Sequence, residues 1–268
     1  MPATYAAVSA CLDAVVRARP AFLPASLLDL GAGPGTATWA AADTFAALTH
    51  FASIDINPAL RDLARDLAAR SGRLASIDYR LGDARSELTV AAPADLVIAS
   101  YVIAEVTEAE KLVERLWAKT TGILLIVEPG TPDGYTRMLG ARTQLIALGG
   151  QVVAPCPHEA RCPLIPPDWC HFAQRLARTR DHKQVKQVDV PFEDEKFSYV
   201  AVARTPAEPR MARVLAPPAV GKAATTLKLC RPDGTAARII VPRRDKAAYA
   251  LARRLRWGDT APDFPEGR

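Results

Sequence analysis

One stretch constrains this chain more than any other. In SLLDLGAGPGTATWAAA, residues 26–42, an apolar run ends in an acid and a leucine. Three glycines then follow at alternate positions, and an alanine-rich segment starts at once. Gly31, Gly33 and Gly35 let a backbone turn tightly after a strand and leave room for a ligand where a helix begins. The pattern repeats downstream without the glycines. HFASID, IDYRLGDA, ADLVIASY and GILLIVEPG read as strands. PALRDLARDLAAR, EAEKLVERLWAKT and TRMLGARTQLIAL read as amphipathic helices between or after them, and residues 3–18 as a helix ahead of the first strand. Strands alternating with helices imply a mostly parallel sheet covered on both faces.

The acids fall at strand ends. Asp29 precedes the first glycine, Asp55 ends the second strand, and Asp83 follows the third. A carboxylate at the end of the second strand, about twenty residues past the glycines, suits the ribose hydroxyls of an adenosine. The spacing is G-x-G-x-G, not the G-x-G-x-x-G of dinucleotide binders. The combination resembles a class I S-adenosylmethionine (SAM) methyltransferase over roughly residues 26–204. That resemblance implies a Rossmann-like, mostly parallel seven-stranded sheet. It implies a SAM pocket of Asp29, Gly31, Ala32, Gly33, Gly35, Asp55, Ile56, Asp83, Ala84, Ser100 and Tyr101. Asp29, Gly31 and Gly33 would lie toward the methionine end, and Asp83 and Ala84 beside the adenine. The segment after the fourth strand, SYVIAE, lacks the D/N-P-P-Y/F of many amino-group methyltransferases. No cysteine ends the fourth or fifth strand as a cytosine-C5 enzyme needs, so no catalytic residue is assigned.

After Gly150 the alternation stops. Residues 151–183 hold several prolines, RLARTRDHK and three cysteines, Cys156, Cys162 and Cys170; Cys230 lies far downstream in LKLCRPDG. The fifth cysteine, Cys11, sits on an apolar helical face and reads as core. Four of five cysteines gathered in this way suit a metal or cluster site, stiffened by the prolines. The x5 and x7 spacings match neither tight zinc knuckles nor common ferredoxin runs, so zinc and an iron–sulfur cluster remain equal on spacing alone. His158 and His171 adjoin the cysteines as outer neighbours. QVKQVDV and KFSYVAVAR read as two further strands, the last antiparallel. TLKLC and ARIIVP flank an Asp233-Gly234 turn as a hairpin, and KAAYALARRLRW reads as a basic helix.

The net charge is +5 over 268 residues. Residues 204–268 hold 14 Lys/Arg against 6 Asp/Glu, a net of +8, which leaves −3 for the rest. A basic tail on a mildly acidic body suits a polyanion. Arg175, Arg178, Arg180, Lys183 and Lys186 beside the cysteines, and Arg243, Arg244, Arg253, Arg254 and Arg256 in the tail, are the candidate RNA contacts, with Trp257 placed to stack on a base. No apolar run of about eighteen residues exists, so no membrane span is expected. The opening residues lack a basic leader pattern.

MPATYAAV, LDLGAGPGTATWA, VEPGTPDGY, APCPHEARCP, DWCHFAQRLART, FEDEKFSYVAVAR and RRLRWGD together resemble the methyltransferase-like ribosomal small-subunit assembly proteins of bacteria and mitochondria. The resemblance covers essentially the whole chain and is most specific at the cysteines. It implies a [4Fe–4S] cluster on Cys156, Cys162, Cys170 and Cys230, acting as a staple between insert and tail. It implies association with small-subunit ribosomal RNA. Methyl transfer to that RNA is one expected role, and non-catalytic rRNA binding or a zinc-stapled RNA methyltransferase is the alternative. A fourth cysteine can close the site where radical-SAM enzymes leave one iron open, and the glycine loop lies remote in sequence from the cysteines, which argues against radical-SAM chemistry. Family members carry further helical sequence before the MPATY segment, so docking carried there is expected to be absent. The expected organisation is an N-terminal helix (1–25), a SAM-binding domain (26–150 and 184–204), a cysteine-rich insert (151–183) and a basic hairpin–helix extension (205–268). The chain is expected to be a monomer apart from the ribosome, and cytoplasmic in a bacterium.

Overall fold

The computed structural model describes residues 1–206, 208–262 and 264. Helix α1 (Pro2–Ala18) precedes five strand–helix units: β1 (Ser26–Leu30), α2 (Thr36–Thr44), β2 (His50–Asp55), α3 (Pro58–Ala68), β3 (Asp78–Leu81), α4 (Ala84–Val90), β4 (Ala94–Ser100), α5 (Ala109–Lys119), β5 (Thr120–Pro129) and α6 (Pro132–Ala147). Then come β6 (Gln151–Ala154), β7 (Phe172–Ala177), α7 (Arg180–Lys186) and β8 (Phe192–Ala203). The sheet order is β3-β2-β1-β4-β5-β8-β6, with β7 also on β8. Strands β1 to β5 are parallel, and β8 runs antiparallel to β5. This is the Rossmann-like methyltransferase architecture, with eight strands rather than the expected seven.

Period-two burial builds two cores from one sheet. In β5, Ile123, Leu125 and Val127 join one apolar layer with α1 and α2. Leu124 and Ile126 join the opposite layer with Leu112, Leu116 and Trp117 of α5 and Met138 and Leu145 of α6. Cys11 is fully buried in the first layer. Helix starts follow their caps: Asn57 accepts from the amides of Ala59 and Leu60 ahead of Pro58, and Thr131 accepts from that of Gly134.

The expected boundary of the insert is corrected. Of residues 151–183, β6 and β7 belong to the main sheet. Ala154 stands opposite Ala201 of β8 and Phe172 opposite Phe197, so the two strands lie end to end along one edge of β8. Residues 155–171 leave the sheet between them, and 178–183 run into α7. QVKQVDV is not a strand. Its first residues close α7, capped by Thr179, whose side chain accepts from the His182 amide, and Val185 is exposed. The edge of β8 that it would need is already taken by β7, where Ala177 pairs with Phe192.

The basic tail is more than a hairpin and helix. Strands β9 (Ala212–Val214), β10 (Ala219–Val220), β11 (Ala224–Cys230), β12 (Ala236–Pro242) and β13 (Thr260–Ala261) form a second sheet, with α8 (Lys246–Ala252) packed on it. It has its own core of Val214, Leu227, Leu229, Ile239, Val241, Ala252 and Phe264. The Asp233-Gly234 turn does close β11 onto β12, with Cys230 opposite Ala236. Helix α8 stops at Ala252, short of the expected Trp257. Among the described residues no helix is long and apolar enough to cross a membrane.

Gly134 marks the tightest junction of helix and sheet: a Cβ there would lie 2.0 Å from the Pro129 carbonyl oxygen. Gly134→Ala is expected to lower unfolding free energy by about 1–3 kcal/mol through forced backbone movement. Urea denaturation of both proteins measures the difference.

Candidate functional site

The expected cofactor residues collect along the carboxyl edge of the parallel strands, where ligands of such sheets bind. Gly31, Gly33 and Gly35 follow β1 with φ of +66°, +54° and +82°, and Gly35 caps α2. At Gly31 a Cβ would also meet Val102 Cγ2 at 2.8 Å. Asp55, at the end of β2, accepts the Gly33 amide at 2.8 Å and the Asn57 amide at 2.8 Å, one on each oxygen. Each oxygen keeps a lone pair for a further donor. Asp83 caps α4, accepting from the Arg85 amide, and its carboxyl is held below the usual range mainly by that bond. Ile56 is 70% exposed beside it in the row of strand ends, as is Leu81 at 41%. Ala32 and Ser100 are buried, and Ala84 is half-buried.

Two features of this edge depart from ordinary packing. Asp29 is fully buried. One oxygen accepts from Thr38 Oγ1 at 2.7 Å, and the other has no partner among the described residues. Burial raises its pKa to about 7, opposed by the Thr38 bonds. Tyr101 holds φ +58° at the end of β4, a conformation unusual for a bulky residue, and donates to Glu195 Oε1 at 2.9 Å. Burial and then Glu195 raise its pKa.

The second centre joins the 155–171 loop to β11. Cys156, Cys162, Cys170 and Cys230 line one cavity of about 20 Å³ with Tyr135, Arg142, His158 and Arg213. Cys162 Sγ accepts from the Tyr135 hydroxyl at 3.1 Å, and Cys230 Sγ lies 3.3 Å from His158 Nε2. Burial raises the thiols of Cys156 and Cys170 and pushes Cys230 up to about 12. The expected ligand sphere is not formed here: among the described residues no three Cys, His, Asp or Glu side chains are arranged to hold a metal ion. The sulfurs instead surround a cavity, two of them hydrogen-bonded to the protein.

Sequence reasoning missed what surrounds these thiols. Arg142 and Arg213 are 2% and 6% exposed. Arg142 donates to the carbonyls of His158 at 2.7 Å and Ala160 at 3.0 Å, and Arg213 to those of Pro155 at 3.0 Å and Gly258 at 2.7 Å. Among the described residues neither forms an ion pair with a carboxylate, while Glu159 gives its own to Arg210 at 2.5 Å. Both guanidiniums pull the Cys156 pKa down against burial. The only sequence signal was an arginine in a helix otherwise ending in apolar residues, ARTQLIAL. His171, half-buried, stacks on Trp169 with ring centres 5.0 Å apart and meets Trp257 edge-on at 4.8 Å. Trp257 is therefore packed against the loop rather than free to receive a base. Lys228 pairs with Asp168, a further tie between loop and tail.

The basic candidates divide. Arg175 forms a two-pronged pair with Asp194 at 2.7 and 2.8 Å, and Arg178 and Lys186 share Glu193 at 2.9 and 2.7 Å. These three neutralise the acidic start of β8 and are corrected as open phosphate contacts. Arg180 is exposed and Lys183 half-buried. In the tail, Arg243, Arg244, Arg253, Arg254 and Arg256 are all exposed, with Arg253 6.0 Å from the Tyr249 ring.

Strand order and the glycine edge define a methyltransferase-like α/β protein, to which a cysteine loop and a second sheet are added. A family profile, "Rsm22: Mitochondrial small ribosomal subunit Rsm22", matches residues 1–262. The chain belongs to that family. It is 30% identical to the human "Ribosome assembly protein METTL17, mitochondrial" over 96% of this chain and 60% of that protein. It is 24% identical to "Rsm22-cox11 tandem protein 2, mitochondrial" of Schizosaccharomyces pombe over 98% of this chain and 42% of that one. The chain thus spans less than two thirds of either relative. Among solved structures, magnesium protoporphyrin IX methyltransferase of Synechocystis PCC 6803 aligns with TM-score 0.49 at 14% identity, covering 76% of this chain and 80% of that one. The matches overturn the expectation of a bacterial cytoplasmic protein, since the family and both relatives are described as mitochondrial. Free thiols do not tell one reducing compartment from another.

Asp29 makes stability depend on pH. Its carboxyl is protonated in the fold and ionised in the unfolded chain between pH 3.8 and about 7. The stabilisation is full below the lower value and lost as pH rises through the upper, on the order of 4 kcal/mol in all. Asp29→Asn is expected to remove that slope. Unfolding free energies of both proteins from pH 4 to pH 8 check it.

Proposed function

We propose that this protein is a SAM-binding, cluster-bearing factor of small-ribosomal-subunit assembly that grips small-subunit rRNA. In this reading Cys156, Cys162, Cys170 and Cys230 hold a [4Fe–4S] cluster. The observation that carries it is the pair of buried guanidiniums, Arg142 and Arg213, facing four cysteines with no carboxylate among the described residues paired to either. Unpaired buried charge costs several kcal/mol per ion. Four thiolates around a centre of charge +2 leave a net of −2, which two arginines balance; four neutral thiols leave the arginines uncompensated. Zinc would satisfy the same charge balance, but a single ion needs its sulfurs about 2.3 Å from one point. A cubane takes one thiolate at each of four separate irons, which suits sulfurs arranged around a cavity.

SAM is supported by the carboxyl edge. When bound, it would supply a methyl group on a sulfonium. The partnerless oxygen of Asp29 is the group to meet a cationic amino-acid end, Asp55 the ribose, and the exposed face of Ile56 the adenine. Methyl transfer to rRNA is the reaction proposed for this edge. Ribosome assembly comes from the relatives, one named a ribosome assembly protein. The exposed arginines of the tail, together with Arg180, are the proposed phosphate contacts.

Protein purified without oxygen is expected to show a broad band near roughly 400 nm with iron and sulfide. Cys170→Ser should abolish it, and stoichiometric zinc in a colourless protein would replace the cluster in this reading. Arg142→Met is expected to lower bound iron per chain severalfold, with Arg142→Lys retaining more. Unchanged iron in Arg142→Met would sink the charge argument.

Affinity for a small-subunit rRNA fragment should fall with salt, with a log–log slope near −0.7 per phosphate contacted. A flat salt profile would overturn the electrostatic grip. Label from methyl-tritiated SAM is expected in the same RNA; SAM binding without transfer would leave the edge a binding site only.

A further inference from the structure

A second cavity, of about 190 Å³, lies where the end of α1 meets the base of the cysteine loop and the second sheet. Its lining includes four arginines from two parts of the chain: Arg17 and Arg19 at the end of α1, and Arg210 and Arg213 just before and within β9. A single carboxylate, the exposed Glu208, shares the lining. Arg210 is neutralised by Glu159 at 2.5 Å. Arg19 donates to the Thr205 carbonyl at 3.1 Å and to that of Pro206, and Arg213 to two carbonyls, so both retain their charge. Among the described residues the Arg17 side chain makes no hydrogen bond or ion pair, and it lies in the last turn of α1. Among the described residues Arg17, Arg19 and Arg213 thus bring positive charge to the cavity with no carboxylate paired to them, while Arg210 is matched by Glu159.

We propose that this cavity binds a phosphate group. Guanidiniums arriving from different directions suit a tetrahedral dianion, which accepts from several sides, better than a planar carboxylate, which one fork satisfies. The volume, about 190 Å³ against the roughly 30 Å³ of a liquid water, admits a phosphate with some of its hydration. Arg213, 6% exposed, also lines the cysteine cavity, as does Cys156. The phosphate site and the cysteine centre therefore share a wall. An anion held here would tie α1, the loop base and the second sheet together. The proposal is independent of the SAM and cluster readings, and its free-phosphate arm is independent of the rRNA reading. The group comes either as inorganic phosphate or as a backbone phosphate of RNA.

The test uses the full chain as purified. Unfolding temperature is measured in about 10 mM sodium phosphate and in sodium chloride of equal ionic strength, for the wild type and Arg17→Ala. Phosphate is expected to raise the wild-type midpoint by roughly 5 °C. Arg17→Ala should match the wild type in chloride, since among the described residues that side chain makes no hydrogen bond or ion pair, and lose the rise. In the second arm, affinity for a small-subunit rRNA fragment is measured against salt for both proteins. Arg70→Ala, exposed in the turn just after α3, which leads to β3 at the far edge of the sheet, serves as the control. If free phosphate gives no shift, but Arg17→Ala weakens RNA binding about tenfold and lowers the salt slope by about 1 while Arg70→Ala does not, the occupant is a backbone phosphate. Equal stabilisation of the wild type and Arg17→Ala by phosphate, or no effect in either arm, overturns the proposal.

Discussion

The pairing of β8 on both of its edges organises the molecule. Along one edge, Phe197–Ala203 zips antiparallel to β5. Along the other, the same strand receives β6 near its end and β7 near its start. Its own sequence divides to match: the first five residues, FEDEK, alternate between exposed and half-buried, and the seven that follow are buried. The apolar half completes the two-layered core. The acidic half binds Arg175, Arg178 and Lys186, and offers Glu195 to Tyr101. The cysteine loop thus leaves and re-enters the sheet between anchored neighbours, and the Ser198 hydroxyl donates to the Cys170 carbonyl at 2.8 Å at its foot. Without β8 the loop would lose both footholds.

Much of the first 150 residues was legible because their signals are local. Glycines at alternate positions, apolar runs of strand length and amphipathic helices each fix their own element, and the acids at strand ends follow from the chain's alternation. The gathering of Cys230 with the other three was also legible, though only as composition and resemblance. What escaped depended on partners distant in sequence. QVKQVDV carries a β-like pattern, yet the edge of β8 it needs is taken by β7, a pairing across the loop that no pattern within QVKQVDV reveals. The short strands β9 and β13 have too few residues to show a period. Basic residues beside the cysteines read as a phosphate grip, but their acids lie on β8, in the next turn of the chain rather than beside them.

Arg142 and Arg213 were illegible for a different reason. An arginine in sequence looks like surface, since the residue type is seldom fully buried. Only the folded chain shows that both are enclosed and that backbone carbonyls, not carboxylates, take their hydrogen bonds. Carbonyl oxygens are dipoles; they orient a guanidinium without cancelling its charge. The cysteine cavity and the arginine-lined cavity on the far side of Arg213 are therefore linked by one positive charge that both can use.

The position of Cys230 also bears on the order in which the protein matures. Chains emerge from synthesis N-terminus first, and domains fold as units as they appear. The main sheet closes once β8, ending at Ala203, has emerged, and by then three of the four cysteines already sit on its edge. The fourth arrives only with β11, whose place depends on the Asp233-Gly234 turn and the strands around it. The thiol set is thus incomplete for the whole interval between the two sheets. The four thiols therefore come together only once the second sheet has formed around β11 beside the completed main sheet.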